Sequence, residues 1–298
     1  MPAKSSQKNN QITNFTKTIQ AYIPDQSTII VAVSGGPDSV FLLELCNQLK
    51  QAHQFKLIVA HVEHGMRFFG SKKDQKFVAK LAKKLGLECE TISLKIQKKY
   101  YEKSTNLEEE ARKERYKFLE KLRQKHHAAA ILTGHHLNDN IETVLFNLVR
   151  GANYNGIKGI EIYSPTTKIL RPLLSFTKQE IIAELKSKKI PYCLDLTNFS
   201  FKYSRNYLRQ KIIPGLKKIN PHFEKTFNEN LKNFDQINQL LDDLASDWLH
   251  KNSINLSFEI NKFKKQNPAL QKEIIVKIYK QIYSSTNKLT SGHLDEII

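Results

Sequence analysis

The sequence predicts an α/β fold, a doubly wound parallel sheet, followed by a smaller all-helical domain. Segments rich in β-branched residues alternate with segments of helical spacing up to about residue 149, as in repeated βαβ units. Two glycines follow the first predicted strand and lead directly into a helix, an arrangement that favours anion binding. Beyond Pro214 and Pro221 the pattern is helical only.

The predicted elements follow one another in a regular order. Strands are predicted at 27–33, 56–61, 87–94 and 128–133. Helices are predicted after Pro37, over 71–85, from an Asn106 cap to about Lys125, and over 137–149. Ligands in such sheets bind beyond the carboxyl ends of the strands, which here are the segments 34–39, 61–67 and 133–139.

The end of the chain differs in composition from its beginning. A short strand ends in RPLL (171–174), Thr177 caps a helix to about Lys188, and only helices follow, over 223–249 and 268–283. Residues 219–298 hold 10 lysines against 10 acids, so this segment has no net charge. We therefore predict two domains, residues 1–216 and residues 217–298.

Composition narrows the class of protein. The 298 residues are 40% hydrophobic and 26% charged, which is typical of a soluble globular protein. No run reaches the roughly 18 apolar residues of a membrane span, and the N-terminal segment lacks the apolar core of a signal peptide. Cys46, Cys89 and Cys193 are widely separated, so neither a disulfide framework nor a zinc site is indicated. We expect a cytoplasmic protein with no membrane partner.

The net charge of +18 is concentrated in part of the chain. Residues 68–127 hold 17 Lys/Arg against 9 Asp/Glu, and residues 168–218 hold 12 against 3. The positive field therefore lies on the half that contains the glycine loop, which predicts a nucleic-acid partner without distinguishing RNA from DNA. The alternative is a lysine-rich proteome, in which any one lysine run carries less weight.

The segment Ser34-Gly35-Gly36-Pro37-Asp38-Ser39 carries the strongest functional signal. Backbone N–H groups and the positive end of a helix dipole point at one spot, which suits a phosphate. The serine hydroxyls can donate to phosphate oxygens, and Asp38 could hold Mg²⁺. The alternative is a plain β-turn-α connection. Neither the lysine-containing P-loop pattern nor G-x-G-x-x-G is present. The segment resembles the pyrophosphate-binding loop of the ATP pyrophosphatases, which split ATP between its α and β phosphates.

The segment TGHHLNDNIET (133–143) follows the fourth strand. A helix that begins here places His135, Asp139 and Glu142 on one face, where they could hold Mg²⁺ or accept a proton from an attacking amine. The alternative is that the two acids complement the helix dipole and His135 packs.

Three further segments combine charged and aromatic residues. Glu108, Arg112 and Arg115 share a helical face and form either an internal salt bridge or a site for a phosphate or an acidic group. HVEHGMR (61–67) follows the second strand, where the base and ribose of a nucleotide lie in such folds. DLTNFSFKYSRNYLR (195–209) suits an RNA backbone and an unstacked base, or else is a packed loop leading into a helix at Arg205.

Taken in order, the motifs resemble the tRNA(Ile)-lysidine synthetase family over residues 28–216. They are SGGPDS, HVEHGMR, N-x-E-x-x-A-R-x-x-R-Y, G-H-H-x-N-D-x-x-E-T, RG (150–151), RPLL, P-Y-x-x-D-x-T-N and R-N-x-x-R-x-x-I-I-P. The resemblance implies a sheet of the adenine-nucleotide α-hydrolase type, with ATP and Mg²⁺ as cofactors. It implies adenylation of O2 of the wobble cytidine (position 34) in tRNA(Ile) with a CAU anticodon. The ε-amine of free L-lysine then displaces AMP at C2 to form lysidine.

The resemblance also implies roles for residues of this chain. The catalytic candidates are Asp38, His135, Asp139, Glu142, Arg112 and Arg205. The ATP-binding candidates are Ser34, Gly35, Gly36, Pro37, Asp38, Ser39, His61, Arg67 and Gly134. The candidates for binding lysine or tRNA are Glu108, Arg115, Asp195, Asn198, Asn206 and Arg209. Asp38 and Asp139 are the candidate Mg²⁺ ligands. The helical domain beyond residue 216 is expected to grip the tRNA, and a homodimer is compatible with the family.

The chain departs from the family pattern at a few positions. Asn138 replaces an aspartate common in relatives, which leaves Asp139 as the candidate carboxylate there; Glu63 and Thr197 also differ. The helical end resembles the family's second domain but stops early, as in a short form or a truncated chain. Two rival functions remain: a tRNA sulfurtransferase of the same superfamily, although no C-x-x-C is present, and a non-catalytic RNA-binding protein regulated by ATP.

Overall fold

The computed structural model describes residues 3–63, 70–93, 107–151, 157–193, 204–283, 289 and 291–298. The chain forms two compact units, Met1–Asn140 with Glu161–Phe199, and Ile141–Ile160 with Ser200–Ile298. The predicted boundary near residue 216 lies within the second unit, and the division into domains at that position stays a prediction. In the described residues, no helix is both long and apolar enough to cross a membrane.

The first unit alternates strands and helices. Its elements are α1 (Ala3–Tyr22), β1 (Thr28–Ala32), α2 (Pro37–Lys50), β2 (Lys56–Glu63), α3 (Gly70–Lys84), β3 (Glu88–Ser93), α4 (Leu107–Lys125), β4 (Ala130–Leu132), the start of α5 (Leu137–Val149), β5 (Tyr163–Ser164), β6 (Ile169–Leu170) and α6 (Lys178–Ser187). The predicted strands and helices of this region are confirmed to within a few residues at their ends. Helix α1 is an addition that the sequence analysis did not predict.

The six strands form one sheet in the order β3-β2-β1-β4-β6-β5. All neighbouring pairs are parallel except β5 with β6, and β1 pairs with both β2 and β4, with Ile29 opposite Leu57 on one side and Ala130 on the other. The chain runs outward from β1 to β3 and then returns to add β4 on the other side of β1. The strand order therefore reverses between β1 and β4, where ligands of such sheets bind.

Strand β1 is buried on both faces, which explains its unbroken apolar sequence. Ile29 and Val31 belong to the core beneath α1, α2, α3 and α6, whereas Ile30 belongs to the core on the opposite face, with Leu119 and Leu122 of α4. Alternate residues thus pack against different helical layers. This arrangement confirms the predicted doubly wound α/β class and fixes the position of the loop that leaves β1.

The second unit is mainly helical. It contains the rest of α5, then α7 (Ser204–Tyr207), a π-helical segment (Leu208–Ile212), α8 (Ile213–Ile219), α9 (Phe223–Asn252), α10 (Ile260–Lys264), α11 (Pro268–Tyr283) and α12 (Ser291–Ile297). A short hairpin of β7 (Ser253–Ile254) and β8 (Ser257–Phe258) follows α9. Trp248, Phe258 and Phe263 pack edge to face or tilted, with ring centroids 5.2–6.2 Å apart, and anchor the core.

Candidate active site

A cavity of about 180 Å³ lies at the carboxyl edge of the sheet in the first unit. Residues at the ends of β1, β2 and β4 line it, together with the loop after β1 and one face of α4. The loop contributes Ser34, Asp38 and Ser39, the segment after β4 contributes Gly134 and His135, and α4 contributes Arg115 and Tyr116. The cavity therefore occupies the point where the strand order reverses.

The loop after β1 is held in one conformation by its own side chains. The Ser34 N–H donates to Ser39 Oγ at 3.1 Å, and Ser39 Oγ donates to the Gly36 carbonyl at 3.0 Å. Pro37 begins α2 with its fixed φ, and Gly36 precedes the helix in an extended conformation. The helix dipole and the first N–H groups of α2 are therefore directed at the loop, as an anion site requires.

Two glycines are required by geometry at this edge. Gly35 has φ of +96°, which strains any residue with a Cβ. A Cβ at Gly134 would lie 3.0 Å from the Asp38 carbonyl carbon and 3.1 Å from the Ser39 nitrogen. Gly134 thus allows the segment after β4 to pass against the loop after β1, and this close approach brings the two halves of the cavity together.

Asp38 is held by a lysine that the sequence analysis did not select. The Lys178 ammonium lies 2.7 Å from both Asp38 carboxylate oxygens, and the Lys178 backbone N–H donates to Asn138 Oδ1 at 2.8 Å. Lys178 is the first residue of α6, where a cation opposes the helix dipole. The Asp38 carboxylate offsets the unfavourable interaction between the Lys178 ammonium and the helix dipole. A lysine directly after the Thr177 cap is therefore the sequence feature that could have pointed to this ion pair.

His136 lies between two carboxylates. Its backbone N–H donates to Asp139 Oδ2 at 3.1 Å, and its Nδ1 accepts from the Asp139 N–H at 3.4 Å, a reciprocal cap at the start of α5. Since Nδ1 accepts, the neutral ring carries its proton on Nε2, which lies 3.6 Å from Asp38 Oδ1 and 3.5 Å from Asp139 Oδ2. The structure thus places His136, which sequence reasoning passed over, beside both candidate magnesium ligands.

His135 precedes α5, so it does not share a helical face with Asp139, as the spacing alone suggested. Its Nδ1 pairs with Thr133 Oγ1 at 2.9 Å. Burial lowers the pKa of His135 to about 4; the Asp139 carboxylate opposes this shift, while Arg171, Arg115 and Arg112 add to it. The imidazole in the cavity is therefore neutral near pH 7 and can accept a hydrogen bond or a proton.

Three arginines surround this histidine electrostatically. The Arg112 and Arg115 guanidinium groups lie 5.3 and 5.1 Å from the Tyr116 ring centroid. Arg171, from the RPLL segment, donates to the Glu161 carbonyl at 2.7 Å, and burial lowers its pKa. Arg115 lines the cavity, and the charges that act on His135 are Arg171, Arg115 and Arg112 against the single acid Asp139, so the field at this histidine is positive. Such a field suits an anion with several charges.

In the second unit, Glu142 forms a two-pronged ion pair. Arg209 Nε and Nη2 lie 2.7 and 2.8 Å from the two Glu142 carboxylate oxygens, and Glu142 is buried. The exposed Arg205 lies over the Phe146 ring at 5.9 Å, and Asn206 follows it in α7. The geometry thus pairs Glu142 with Arg209 within the second unit.

Other predicted residues lie elsewhere. His61 is buried on β2, its Nδ1 2.8 Å from the Val33 carbonyl, while its neighbours Ala60 and Val62 line the cavity; it therefore faces the other side of the sheet. Arg67, Asp195 and Asn198 lie outside the described residues, as does the side chain of Glu108. Their assignments stay predictions.

The described side chains include two sets of candidate metal ligands. Within the described ranges, one set of three side chains has metal-ligand spacing, Glu88, Glu90 and His126. Lys125 lies 2.7 Å from Glu90 and Lys56 lies 3.5 Å from Glu88, so these acids already have cationic partners. Asp38 and Asp139 offer the hard oxygen donors that Mg²⁺ prefers and both lie near His136. Lys178 already contacts both Asp38 oxygens, so magnesium binding by these two acids stays a prediction.

The fold and the cavity define an α/β protein with a glycine loop built to hold a phosphorylated ligand. The PP-loop domain model matches residues 4–216, and the chain therefore belongs to the PP-loop domain family. This finding agrees with the sequence motif at 34–39 and with the predicted use of ATP.

Two curated proteins of similar sequence carry the same name. A Bacillus cereus protein named tRNA(Ile)-lysidine synthase is 35% identical over 285 residues, covering 93% of this chain and 60% of that protein. A Thermosipho africanus protein of the same name is 42% identical over 226 residues, covering 74% and 52%. The chain thus spans between half and two thirds of the length of these relatives.

Among solved structures, the U34-tRNA thiolase NcsA from Methanococcus maripaludis, with its [4Fe-4S] cluster, is similar in fold. Its TM-score is 0.63 at 17% identity, covering 77% of this chain and 78% of that one. At this identity the likeness supports the fold alone.

Proposed function

We propose that this protein ligates free L-lysine to C2 of the wobble cytidine of tRNA(Ile) with a CAU anticodon, using ATP. The observation that carries the proposal is the cavity itself, in which a glycine loop, Asp38 and an arginine-bearing helix face meet at the reversal of strand order. The 31–42% identity to proteins named tRNA(Ile)-lysidine synthase supports the choice of substrates.

Different groups of the cavity would bind different phosphates of ATP. The N–H groups at the start of α2 and the hydroxyls of Ser34 and Ser39 would bind the β and γ phosphates, which leave together as pyrophosphate. Arg112, Arg115 and Arg171 would stabilise the negative charge that develops on the α-phosphate when cytidine O2 attacks it. Asp38 and Asp139 would hold Mg²⁺, which neutralises phosphate charge when bound.

The second half of the reaction needs a base. The lysine ε-amine attacks C2 of the adenylated cytidine, the C2–O2 bond breaks with AMP as the leaving group, and the amine loses a proton. His135 is neutral near pH 7 and is not one of the proposed Mg²⁺ ligands, so it would accept a hydrogen bond from the attacking amine. Because the pKa of His135 is only about 4, the proton would pass on to water. Glu142, which Arg209 holds within the second unit, stays a predicted catalytic residue. The second unit would grip the tRNA, and a homodimer stays a prediction.

A thiolation reaction has less support. A nucleophilic cysteine needs a low thiol pKa. Here burial, together with a hydrogen bond to Asp74, raises the pKa of Cys193 to about 12, and burial also raises the pKa values of Cys46 and Cys89. None of the three thiols is therefore activated.

The test is mass analysis of nucleosides from a tRNA(Ile) transcript with a CAU anticodon, after reaction with ATP and lysine. We expect cytidine 34 to gain the mass of lysine minus water, with one AMP formed per modified tRNA. A transcript with a UAU anticodon is the control. Gain of sulfur with a sulfur donor would favour the thiolase, and RNA binding without AMP formation would favour the non-catalytic rival.

A further inference from the structure

Helix α3 carries an exposed face made of lysines. Lys72, Lys73, Lys76, Lys80, Lys83 and Lys84 are all exposed. At 100° per residue, these six positions fall within an arc of about 120°, and the face is about 18 Å long. We call this surface the α3 lysine face. Its opposite side holds Val78 and Ala82, both fully buried in the core, so the helix has a fixed orientation.

This face differs from the lysine-rich surface of α4. On α4, Lys113 and Lys117 pair with Glu110 and Glu114 at 3.0 and 2.6 Å, as solvated helices commonly do. In the part of the chain that the structure describes, none of the six α3 lysines forms an ion pair. The abundance of lysine in the sequence explains how many lysines there are, but not why six lie together without acids.

The acid of this helix is turned away from the lysine face. Asp74 lies about 200° around the helix from Lys72 and hydrogen-bonds the Cys193 thiol, whose pKa it raises. The face therefore holds six positive charges whose mutual repulsion is relieved only by solvent and salt. Such a surface favours a partner with closely spaced negative charges.

Helix α3, which carries the α3 lysine face, packs against the loop at residues 34–39. A Cβ built on Gly35 would lie 3.4 Å from Val78 Cγ2 and 3.6 Å from Phe77 Cδ1, so α3 packs directly behind the loop. Both elements belong to the first unit. A polyanion bound on α3 would thus be held at a fixed position relative to the cavity.

We propose that the α3 lysine face binds the sugar-phosphate backbone of the RNA substrate, without reading its sequence, while the cavity acts on one nucleotide. The proposal rests on the proposed function for the identity of the RNA. An RNA backbone fits better than a membrane, because the apolar side of α3 is buried in the core and cannot insert into lipid. Phosphate contacts position a nucleic acid, whereas base contacts specify it.

The experiment compares two triple variants with the same change in net charge. The first is Lys76→Gln, Lys80→Gln, Lys83→Gln on the α3 lysine face. The control is Lys17→Gln, Lys121→Gln, Lys186→Gln, three exposed lysines of α1, α4 and α6. The dissociation constant for the tRNA transcript and for an unrelated RNA hairpin is measured across a series of salt concentrations, after thermal unfolding has shown that both variants fold like the wild type.

We expect the α3 triple variant to weaken binding of both RNAs ~10-fold near physiological salt. The slope of log K against log salt should become shallower by roughly 2 to 3, since each lost phosphate contact removes about 0.7 to 0.9. The control triple should change the slope by less than about 1. Equal slopes for the two triples would overturn the proposal, because net charge alone would then explain the binding.

The same variants separate this proposal from the proposed function. If the wild type forms lysidine but the α3 triple binds RNA like the control, the inference about α3 fails and the function stands. If the α3 triple loses the salt-dependent binding but no cytidine is modified by the wild type, the surface assignment stands and the function fails. Loss of binding only to phosphatidylserine vesicles, with RNA binding intact, would also overturn the proposal.

Discussion

Asp38 and Glu142 are both carboxylates gripped by a cation through two short contacts, yet their surroundings differ. The Asp38 side chain is 26% exposed at the cavity and its partner, Lys178, carries a single rotatable ammonium. The Glu142 side chain is 4% exposed and its partner is the planar fork of Arg209. The Asp38–Lys178 pair can open when a ligand binds, whereas the Glu142–Arg209 pair keeps its geometry. The first pair is therefore suited to ligand binding, and the second to holding the surrounding structure in place.

The largest effect on activity should come from substitution of Asp38. Asp38→Asn removes the negative charge at the loop and should reduce kcat/KM for ATP ~100-fold or more, as loss of a preorganised charged group commonly does. Because Asp38 is partly exposed, the melting temperature should change little. AMP release in the presence of tRNA and lysine measures the first quantity.

Asp25→Asn is the matched control, since Asp25 is 67% exposed and pairs with His53 away from the cavity. It should retain wild-type turnover. Wild-type turnover in Asp38→Asn as well would remove Asp38 from the ATP site.

Breaking the Glu142–Arg209 ion pair should lower the stability of the folded protein. Arg209→Ala leaves the buried Glu142 charge without its fork and should lower the free energy of unfolding by about 3 kcal/mol. Arg205→Ala is the control, because within the described residues that exposed arginine makes a single ring contact, about 0.5 to 1 kcal/mol. Urea denaturation of the two variants makes the comparison. Equal losses would mean that the Glu142 pair has no special role in holding the structure.

A substitution at Lys178 tests whether the Asp38–Lys178 ion pair opens when ATP binds. If the ammonium leaves Asp38 to contact a phosphate, Lys178→Met should raise KM for ATP ~10-fold through the loss of one charge-assisted hydrogen bond. Lys186→Met, at the other end of α6, should leave KM unchanged. An unchanged KM in Lys178→Met would show that the lysine serves only to neutralise Asp38.

The last effect concerns pH. The pKa of His135 is about 4 in the folded state, below the ordinary value of 6.5, so the unfolded chain takes up a proton here first as the pH falls. Stability should therefore decline between about pH 6.5 and pH 4, and His135→Gln should show a shallower decline. Thermal melts across this range provide the measurement. Parallel curves for the two proteins would contradict the depressed pKa.

The sequence predicted the sheet because the strands of a parallel α/β core are buried on both faces and therefore read as apolar runs such as Ile29–Val31. It also predicted the loop, because Gly35 and Pro37 are needed where they stand. Helix α1 escaped because its core residues, Phe15 and Ile19, are few among many polar ones. Local pattern is enough for elements whose burial is complete.

The partners of the site residues could not be predicted in the same way. Lys178 reaches Asp38 across 140 residues, and Arg209 reaches Glu142 across 67, so only the folded chain brings them together. The spacing selects His135 together with Asp139, but α5 begins at Leu137 and gives the capping position to His136. A shift of one residue at a helix start decides which histidine faces the carboxylates.

The central claim is that the loop at 34–39 holds the pyrophosphate half of ATP while the α-phosphate is attacked. The most direct measurement follows ATP labelled at the α-phosphate, with tRNA(Ile) transcript and lysine, by thin-layer chromatography. We expect labelled AMP, formed only when the tRNA is present. Labelled ADP as the product, or no cleavage at all, would contradict it.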